Sequence, residues 1–137
     1  MRGTPEADVV VGAHRCEWLP PDRFVLTVVG TPTEADMAQL FDFMNAKDWK
    51  DPTFMVVDFR KLESLPANAR RVVAERSKAR PMSGVVIVGA KFPQRVIATL
   101  IHGAMKMLTN KAIPEEFVDD LESAWRIIDK WREGRSA

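Results

Sequence analysis

The sequence predicts an α/β domain in which a mixed sheet of four to five strands carries about four packed helices. Two short apolar segments, FMVVDF at 54–59 and GVVIV at 84–88, have the composition of strands covered on both faces. Segments with the apolar spacing of amphipathic helices precede, separate and follow them. This alternation is typical of domains in which right-handed crossovers place helices on a largely parallel sheet.

The composition predicts one folded domain over residues 1–137, frayed at 1–8 and 133–137. A hydrophobic share of 46% and a charged share of 28% are ordinary for a globular protein and argue against long disorder. The formal net charge of +1 provides no broad field for a nucleic acid or an anionic membrane. We therefore expect no nucleic-acid partner.

The lone cysteine and the short apolar run near the N-terminus predict a cytoplasmic protein. Cys16 has no second cysteine with which to form a bridge, which fits a reducing compartment. The valines at 9–11 are too few for a signal peptide or a membrane span. We expect no transmembrane segment.

The N-terminal part of the chain predicts a first hairpin. Residues 9–18 form an extended stretch, and the prolines and aspartate at 20–22 favour a turn. The nearly continuous apolar run at 24–29 predicts the returning strand, which ends at Gly30.

The first helix is predicted from a capping pair and an apolar face. Thr33 and Asp36 have the spacing of a capping box. The residues that follow with the spacing of one helical face are Met37, Leu40, Phe41 and Met44. The helix should fray near 45–48, because Pro52 and the residue before it cannot continue a helix.

The sequence also predicts a second helix, a weak edge strand and a last helix. The second helix starts near Pro66 and runs to about Ala79. A short edge strand is predicted around 117–118, since edge strands tolerate neighbouring charge. Asp119 or Asp120 can cap the last helix, whose apolar side contains Leu121, Ala124, Trp125, Ile128 and Trp131.

Three runs of sequence resemble one family. The run VVDFRKLESLPANAR resembles the strand and loop of STAS domains, whose prototype is the sporulation anti-anti-sigma factor. The runs CEWLPPDRFVLTVVG and FVDDLESAWRIIDKW are similar to the SpoIIAA-like relatives that are grouped with CRAL-TRIO lipid-binding domains. The resemblance covers nearly the whole chain and implies a STAS scaffold more directly than it implies a biochemical role.

The departure from this family lies at the start of the second helix. Phosphorylatable STAS regulators carry a serine there, in a stretch that resembles Asp-Ser-Ser-Gly. In this chain the position falls at Ala67 and Asn68, neither of which can accept a phosphoryl group. The resemblance therefore implies a STAS-like domain without the usual charge switch at a helix N-terminus.

The candidate binding loop combines polar residues expected beyond the carboxyl ends of the strands: Asp58, Arg60, Lys61, Asn68, Lys91 and Arg95. Asp58 is open to two interpretations. It is either an acid, base or ligand group, or an acceptor for the amides of its own loop.

The second helix is the most basic segment of the sequence. Its cations could bind a phosphate, an anionic head group or an acidic partner, or they could form an ordinary solvated helix face. They are Arg70, Arg71, Arg76, Lys78 and Arg80.

His14 and Cys16 alternate along a predicted strand and so share one face, as a nucleophile and base or two metal ligands would. A metal site needs three or four ligands, and His102 lies on a distant helix. We therefore predict no metal, cofactor or catalytic residue and interpret Cys16 as a packed side chain.

The third helix has an apolar stripe that is wider than packing on one sheet face requires. The residues predicted to make an apolar contact are Ile97, Ile101, Met105 and Leu108. They could bind a second protomer, an acyl chain or a membrane surface, or they could simply be buried beneath the last helix.

The functional prediction is a noncatalytic STAS-like module that binds a protein partner or itself. The alternative, suggested by the third helix and the CRAL-TRIO resemblance, is a carrier or sensor of a small apolar or lipid ligand. An enzyme is disfavoured because the sequence has no convergent triad, dyad or metal-binding motif.

Overall fold

The computed structural model describes residues 6–80, 82–99 and 113–136, which form six strands and parts of four helices. The strands are β1 (Ala7–Val11), β2 (His14–Leu19), β3 (Arg23–Thr27), β4 (Phe54–Asp58), β5 (Gly84–Val88) and β6 (Glu115–Val118). The helices are α1 (Glu34–Asn45), α2 (Ala67–Ala79), α3, which is described over 92–99, and α4 (Leu121–Ser136). β1 therefore begins inside the range 1–8, and α4 extends into the range 133–137.

The strands form one mixed sheet in sequence order. β1, β2 and β3 are antiparallel, and β3 to β6 are parallel. The predicted α/β class is confirmed, but the predicted count of four to five strands is wrong. The stretch 9–18 contains a turn between Val11 and His14, where Gly12 adopts a φ of 60° and lets β1 fold back on β2.

The strand order determines where the helices lie. When parallel strands follow one another in sequence order, right-handed crossovers place every connecting helix on the same face. Helices α1, α2 and α3 accordingly contribute to one core cluster, through residues such as Leu40, Val72 and Ala98. Helix α4 follows the last strand and packs on the opposite face, where Ala124 and Ile128 are fully buried.

The capping box predicted for the first helix is present. The Asp36 amide donates to the Thr33 hydroxyl, and the Thr33 amide donates to the Asp36 carboxylate, each at 3.0 Å. The four predicted apolar residues of this helix are buried, and the helix ends at Asn45.

The edge strand predicted at 117–118 is confirmed as β6. Asp120 lies at the start of α4, where its carboxylate accepts a hydrogen bond from the Ser123 amide.

Helix α4 is held close to the sheet by a glycine. A β-carbon at Gly84 would lie 2.6 Å from the Trp131 ring, so the ring occupies the space that a side chain would need. The Trp131 ring centre also lies 6.0 Å from that of Phe54.

Over the described residues, the structure contains no helix with the length and hydropathy required to cross a membrane.

Candidate functional site

The candidate site lies at the carboxyl ends of the parallel strands, where the loops that follow them meet. The loop after β4 is joined to the loop after β3, because Gly30 donates its amide to the Lys61 carbonyl at 2.8 Å and accepts the Glu63 amide at 2.8 Å. The hydroxyls of Thr31 and Ser64 lie 3.1 Å apart across the same two loops. The two loops therefore form one surface.

Asp58 ends β4 and forms an ion pair with Arg60. The Arg60 Nε and a terminal nitrogen donate to the two Asp58 oxygens at 3.0 and 2.8 Å, and the Arg60 amide donates at 3.0 Å. Burial alone would raise the pKa of Asp58, but these hydrogen bonds and the Arg60 charge outweigh it and hold the pKa below its usual value. Asp58 thus accepts an amide of its own loop, as one of its two interpretations predicts, and its carboxylate stays ionised.

Gly89, directly after β5, leaves room for the Arg60 side chain to pass against its backbone. Gly89 has a φ of 70°, and a β-carbon there would lie 2.3 Å from the Arg60 Cγ. Its amide donates to the Val118 carbonyl at 2.8 Å. The ion pair of Asp58 with Arg60 therefore depends on a glycine in the neighbouring loop.

Gln94 fixes the start of α3 against the loop after β4. Its side-chain oxygen accepts the Lys91 amide at 2.7 Å, and its side-chain nitrogen donates to the Leu62 carbonyl at 3.3 Å. Gln94 is buried. Sequence reasoning missed this residue, although its position three residues after a helix start is a capping signal.

The first turns of α3 expose two large apolar side chains. Phe92 is 78% exposed and Val96 is 43% exposed, and their i, i+4 spacing places them on one helix face. Lys91 and Arg95, also exposed, flank them. We refer to Lys91, Phe92, Arg95 and Val96 as the α3 surface.

The structure places the other predicted binding residues in two locations. Arg60 and Lys61 are exposed on the loop after β4, at the edge of the sheet where α3 begins. Asn68 instead lines the groove between α1 and α2 with Thr33 and Arg76, and its side-chain oxygen accepts the Ala69 amide at 2.8 Å. The candidate binding loop is therefore not one cluster.

Arg76 of α2 and Arg80, the residue directly after α2, have structural contacts. Arg76 forms an ion pair with Asp42 of α1 at 3.1 Å. The Arg80 guanidinium donates to the carbonyls of Asn45, Lys47 and Trp49 at 2.7, 3.0 and 2.8 Å, and it lies 3.9 Å from the centre of the Trp49 ring. Arg80 thus holds the chain after α1 in place.

His14 and Cys16 share one face of β2, as predicted, and both are buried. His14 Nδ1 accepts the Val29 amide at 3.1 Å, so the proton of a neutral ring is on Nε2, which lies 3.3 Å from the Asp36 carboxylate. Burial, with a smaller effect of Glu17, raises the pKa of Cys16 to about 12. The Cys16 thiol therefore stays protonated and lacks the environment of a nucleophile.

The polar clusters of the described ranges have no metal-binding arrangement. No group of three His, Cys, Asp or Glu residues in the described ranges is arranged to hold a metal ion.

Asp22, which the sequence assigned only to a turn, is buried and accepts two hydrogen bonds from Arg132, each at 2.7 Å. This pair connects the start of β3 to the last turns of α4.

The predicted apolar contact of the third helix is described only in part. Ile97 is partly buried and faces a cavity between the helices and the sheet. Ile101, Met105 and Leu108, like His102, lie outside the described residues. Val96, the residue before Ile97, is exposed to solvent.

The cavity has a volume of about 90 Å³ and is mainly apolar. It lies over β3, β4 and β5, and its described lining includes Met37, Met55, Val57 and Ile97. Ser77 and Glu115 are the two polar residues among the described residues that line it. Burial raises the pKa of Glu115 from 4.5 to about 7.

The raised pKa of Glu115 predicts a loss of stability with rising pH. Between pH 4.5 and about 7 the folded protein keeps a proton that the unfolded chain releases, so this contribution is complete below 4.5 and is lost as the pH rises through about 7. Because the carboxyl is partly exposed, we expect Glu115→Gln to raise the free energy of unfolding at about pH 8 by only about 1–2 kcal/mol.

Urea unfolding of the wild type and Glu115→Gln across this pH range measures the effect. The control is Glu116→Gln, since Glu116 is the exposed neighbour on the same strand. Parallel pH curves for the wild type and Glu115→Gln would contradict the prediction.

The comparisons with known proteins do not name a family for this chain. A scan against protein-family models found no match. A search of the curated proteins also found no match.

Proposed function

We propose that this chain is a noncatalytic STAS-like module that binds a protein partner, or a second copy of itself, through the α3 surface. The observation that carries the proposal is the exposure of Phe92 and Val96 on one helix face. Isolated exposed apolar residues are common, but an aromatic and a branched residue side by side among cations have the composition of an interface centre.

The position of the α3 surface supports the proposal. Gln94 and Gly89 fix the start of α3 against the loop after β4, so Phe92 is presented from a held backbone. Such a side chain loses little conformational freedom when a partner covers it. Lys61 provides further positive charge near the start of α3, which favours a partner with acidic groups around an apolar centre.

The STAS assignment rests on the sequence resemblance, and the fold is compatible with it. The coarser part of that expectation, a mixed sheet with helices packed on it, supports the proposal. The resemblance assigns the serine switch to Ala67 and Asn68, and the Asn68 side-chain oxygen accepts a local hydrogen bond from the Ala69 amide. We therefore propose binding that does not depend on serine phosphorylation at this position.

The alternative of a lipid carrier is less well supported. A cavity of about 90 Å³ is well below the range of roughly 300–1,000 Å³ that is typical of sites for larger organic ligands. An acyl chain would need more room than the described residues provide. Protein contact is for this reason the first proposal.

The test is the double substitution Phe92→Ser with Val96→Ser. We expect at least about a tenfold loss of affinity for the partner, or of self-association, because anchors at the centre of an interface dominate binding. The measurements are light scattering of the purified chain and calorimetric titration with a partner that is first captured from the source cells and then purified.

The matched control is Val10→Ser, since Val10 is 66% exposed but lies on β1 at the far edge of the sheet. Binding should be unchanged in this control. The proposal is wrong if the wild type is strictly monomeric and captures no protein at micromolar concentration, or if the control loses as much affinity as the double variant.

A further inference from the structure

Strand β1 forms one edge of the sheet, and no strand among the described residues pairs with its outer side. A two-residue turn closes its hairpin with β2 at the pair of Val11 and His14. In a hairpin of this type the closing pair is hydrogen-bonded, and every second pair repeats that arrangement. The amides and carbonyls of Asp8 and Val10 are therefore directed away from β2, toward the outer side of the edge.

The sequence protects the two edges of the sheet unequally. Strand β6 begins directly after Pro114 and contains two glutamates, and both proline and charge discourage further pairing of an edge strand. Strand β1, ADVVV, has a single charge and ends in three consecutive valines, of which Val10 is 66% exposed. The charge belongs to Asp8, whose carboxylate lies 2.6 Å from the guanidinium of Arg15 on β2. The β1 edge thus has the composition of a strand that pairs further.

We propose that two copies of this chain associate by antiparallel pairing of their β1 strands, which joins the two sheets into one. A two-fold axis at Asp8 would place like charges opposite each other. An axis at Val10 would draw Gly12 into the ladder, although its φ of 60° is not that of a strand. An axis at Val9 pairs Asp8 with Val10 of the second copy and keeps every pair within 7–11.

Charge complementarity favours this register. Arg15 lies opposite Val10 within the hairpin, and Asp8 of the second copy lies opposite Val10 on its other side. Arg15 and that carboxylate are then on one face of the sheet, with their Cα atoms two strand spacings, or about 10 Å, apart. The two side chains together span this distance. Each Asp8 thereby lies between the Arg15 of its own chain and the Arg15 of the second copy.

The helices leave room for the pairing. His14 of β2 lies 3.3 Å from Asp36 of α1, so the start of α1 lies over β2. In the joined sheet the two β2 strands are three spacings, or about 14 Å, apart, whereas packed helices need only about 8–10 Å between their axes. Val9 is partly buried on the helix-covered face, and it gains burial against Val9 of the second copy.

Amide hydrogen exchange of the full chain, followed by NMR, tests the pairing. We expect a dissociation constant of about 100 µM, because one short strand pair provides a small interface. The amides of Asp8 and Val10 should exchange about fourfold more slowly at about 1 mM protein than at about 20 µM, since the dimeric fraction rises from about a quarter to about four-fifths. The Phe92 amide, in the first turn of α3, is the control and should not change.

Two substitutions of Val10 separate the backbone from the side chain. Val10→Pro removes an outward amide and leaves the hydrogen bonds to β2 in place, because an edge strand tolerates proline on its solvent side. Sedimentation should show self-association weakened by at least about tenfold. Val10→Thr keeps the amide and the branched side chain and should stay within about threefold of the wild type. If Val10→Pro does not fold, the exchange comparison on the wild type decides the outcome.

A charge reversal tests the register. Asp8→Arg places like charges beside both Arg15 side chains and should weaken the dimer by about tenfold. Adding Arg15→Asp should restore the affinity to within about threefold of the wild type, because the alternation of charges returns.

The proposal is overturned if the amides of Asp8 and Val10 exchange equally at both concentrations, or if Val10→Pro self-associates as the wild type does. It is also overturned if Arg15→Asp fails to recover what Asp8→Arg loses. The α3 surface is tested separately, since Phe92→Ser with Val96→Ser should keep the β1 dimer. Concentration-dependent protection of Phe92 without protection of Asp8 and Val10 would assign self-association to the α3 surface and reject pairing through β1.

Discussion

Replacing Arg80 with alanine will lower the free energy of unfolding by about 3 kcal/mol. The substitution removes three charge-assisted hydrogen bonds to the carbonyls of Asn45, Lys47 and Trp49, together with the stacking of the guanidinium on the Trp49 ring. The loss is not larger because water can reach part of this region and solvate the carbonyls. Urea unfolding followed by Trp fluorescence measures the change.

The control for this prediction is Arg71→Ala on the same helix. Arg71 is exposed, and its removal should change the free energy of unfolding by less than about 0.5 kcal/mol. Arg80→Lys should fall between the two, because an ammonium group cannot reach three carbonyls in a planar arrangement. Equal effects of Arg71→Ala and Arg80→Ala would show that Arg80 is an ordinary surface cation.

Gly89→Ala is the second substitution with a large expected effect. It should lower the free energy of unfolding by about 3 kcal/mol. One part is the cost of a β-carbon at a φ of 70°. The other part is the approach of 2.3 Å to the Arg60 Cγ, which forces Arg60 away from Asp58. Because Gly89 precedes the α3 surface closely in sequence, we expect partner binding to weaken as well.

The matched control is Gly30→Ala. Gly30 has a nearly identical φ of 68°, but nothing lies within 4 Å of a β-carbon built there. It should therefore show the backbone cost alone, about 1 kcal/mol. Removing the Arg60 side chain beyond Cβ, in the double variant Gly89→Ala with Arg60→Ala, should recover part of the difference. If Gly30→Ala and Gly89→Ala are equally destabilised, the contact with Arg60 does not contribute.

Helices and buried strands could be predicted because their signals are local. The Thr33 and Asp36 pair is a capping box within four residues, and the burial of Leu40 and Met44 follows from a period of 3.6. The number of strands was predicted less well. Gly12 is the only turn signal in the stretch 9–18, and a single glycine within an extended stretch is also typical of a bulge.

The candidate site was predictable only in part, since charge type is visible in the sequence and contact partners are not. Lys91 and Arg95 were expected at the sheet edge and lie there. Arg80 was grouped with the free cations of α2, yet its partners are 31 to 35 residues away along the chain. Phe92 was not selected, because the sequence alone does not show whether an apolar residue in the first turn of a helix faces the sheet or the solvent.

The sequence alone determined the α/β class, the helical faces and the absence of a hydroxyl at 67–68, because each depends on residues close together in the chain. The tertiary structure decided which charges are free, which apolar residues face solvent and where a cavity remains. Those properties depend on elements brought together by the strand order, so the packing of α3 against the loop after β4 could not be read from either segment separately.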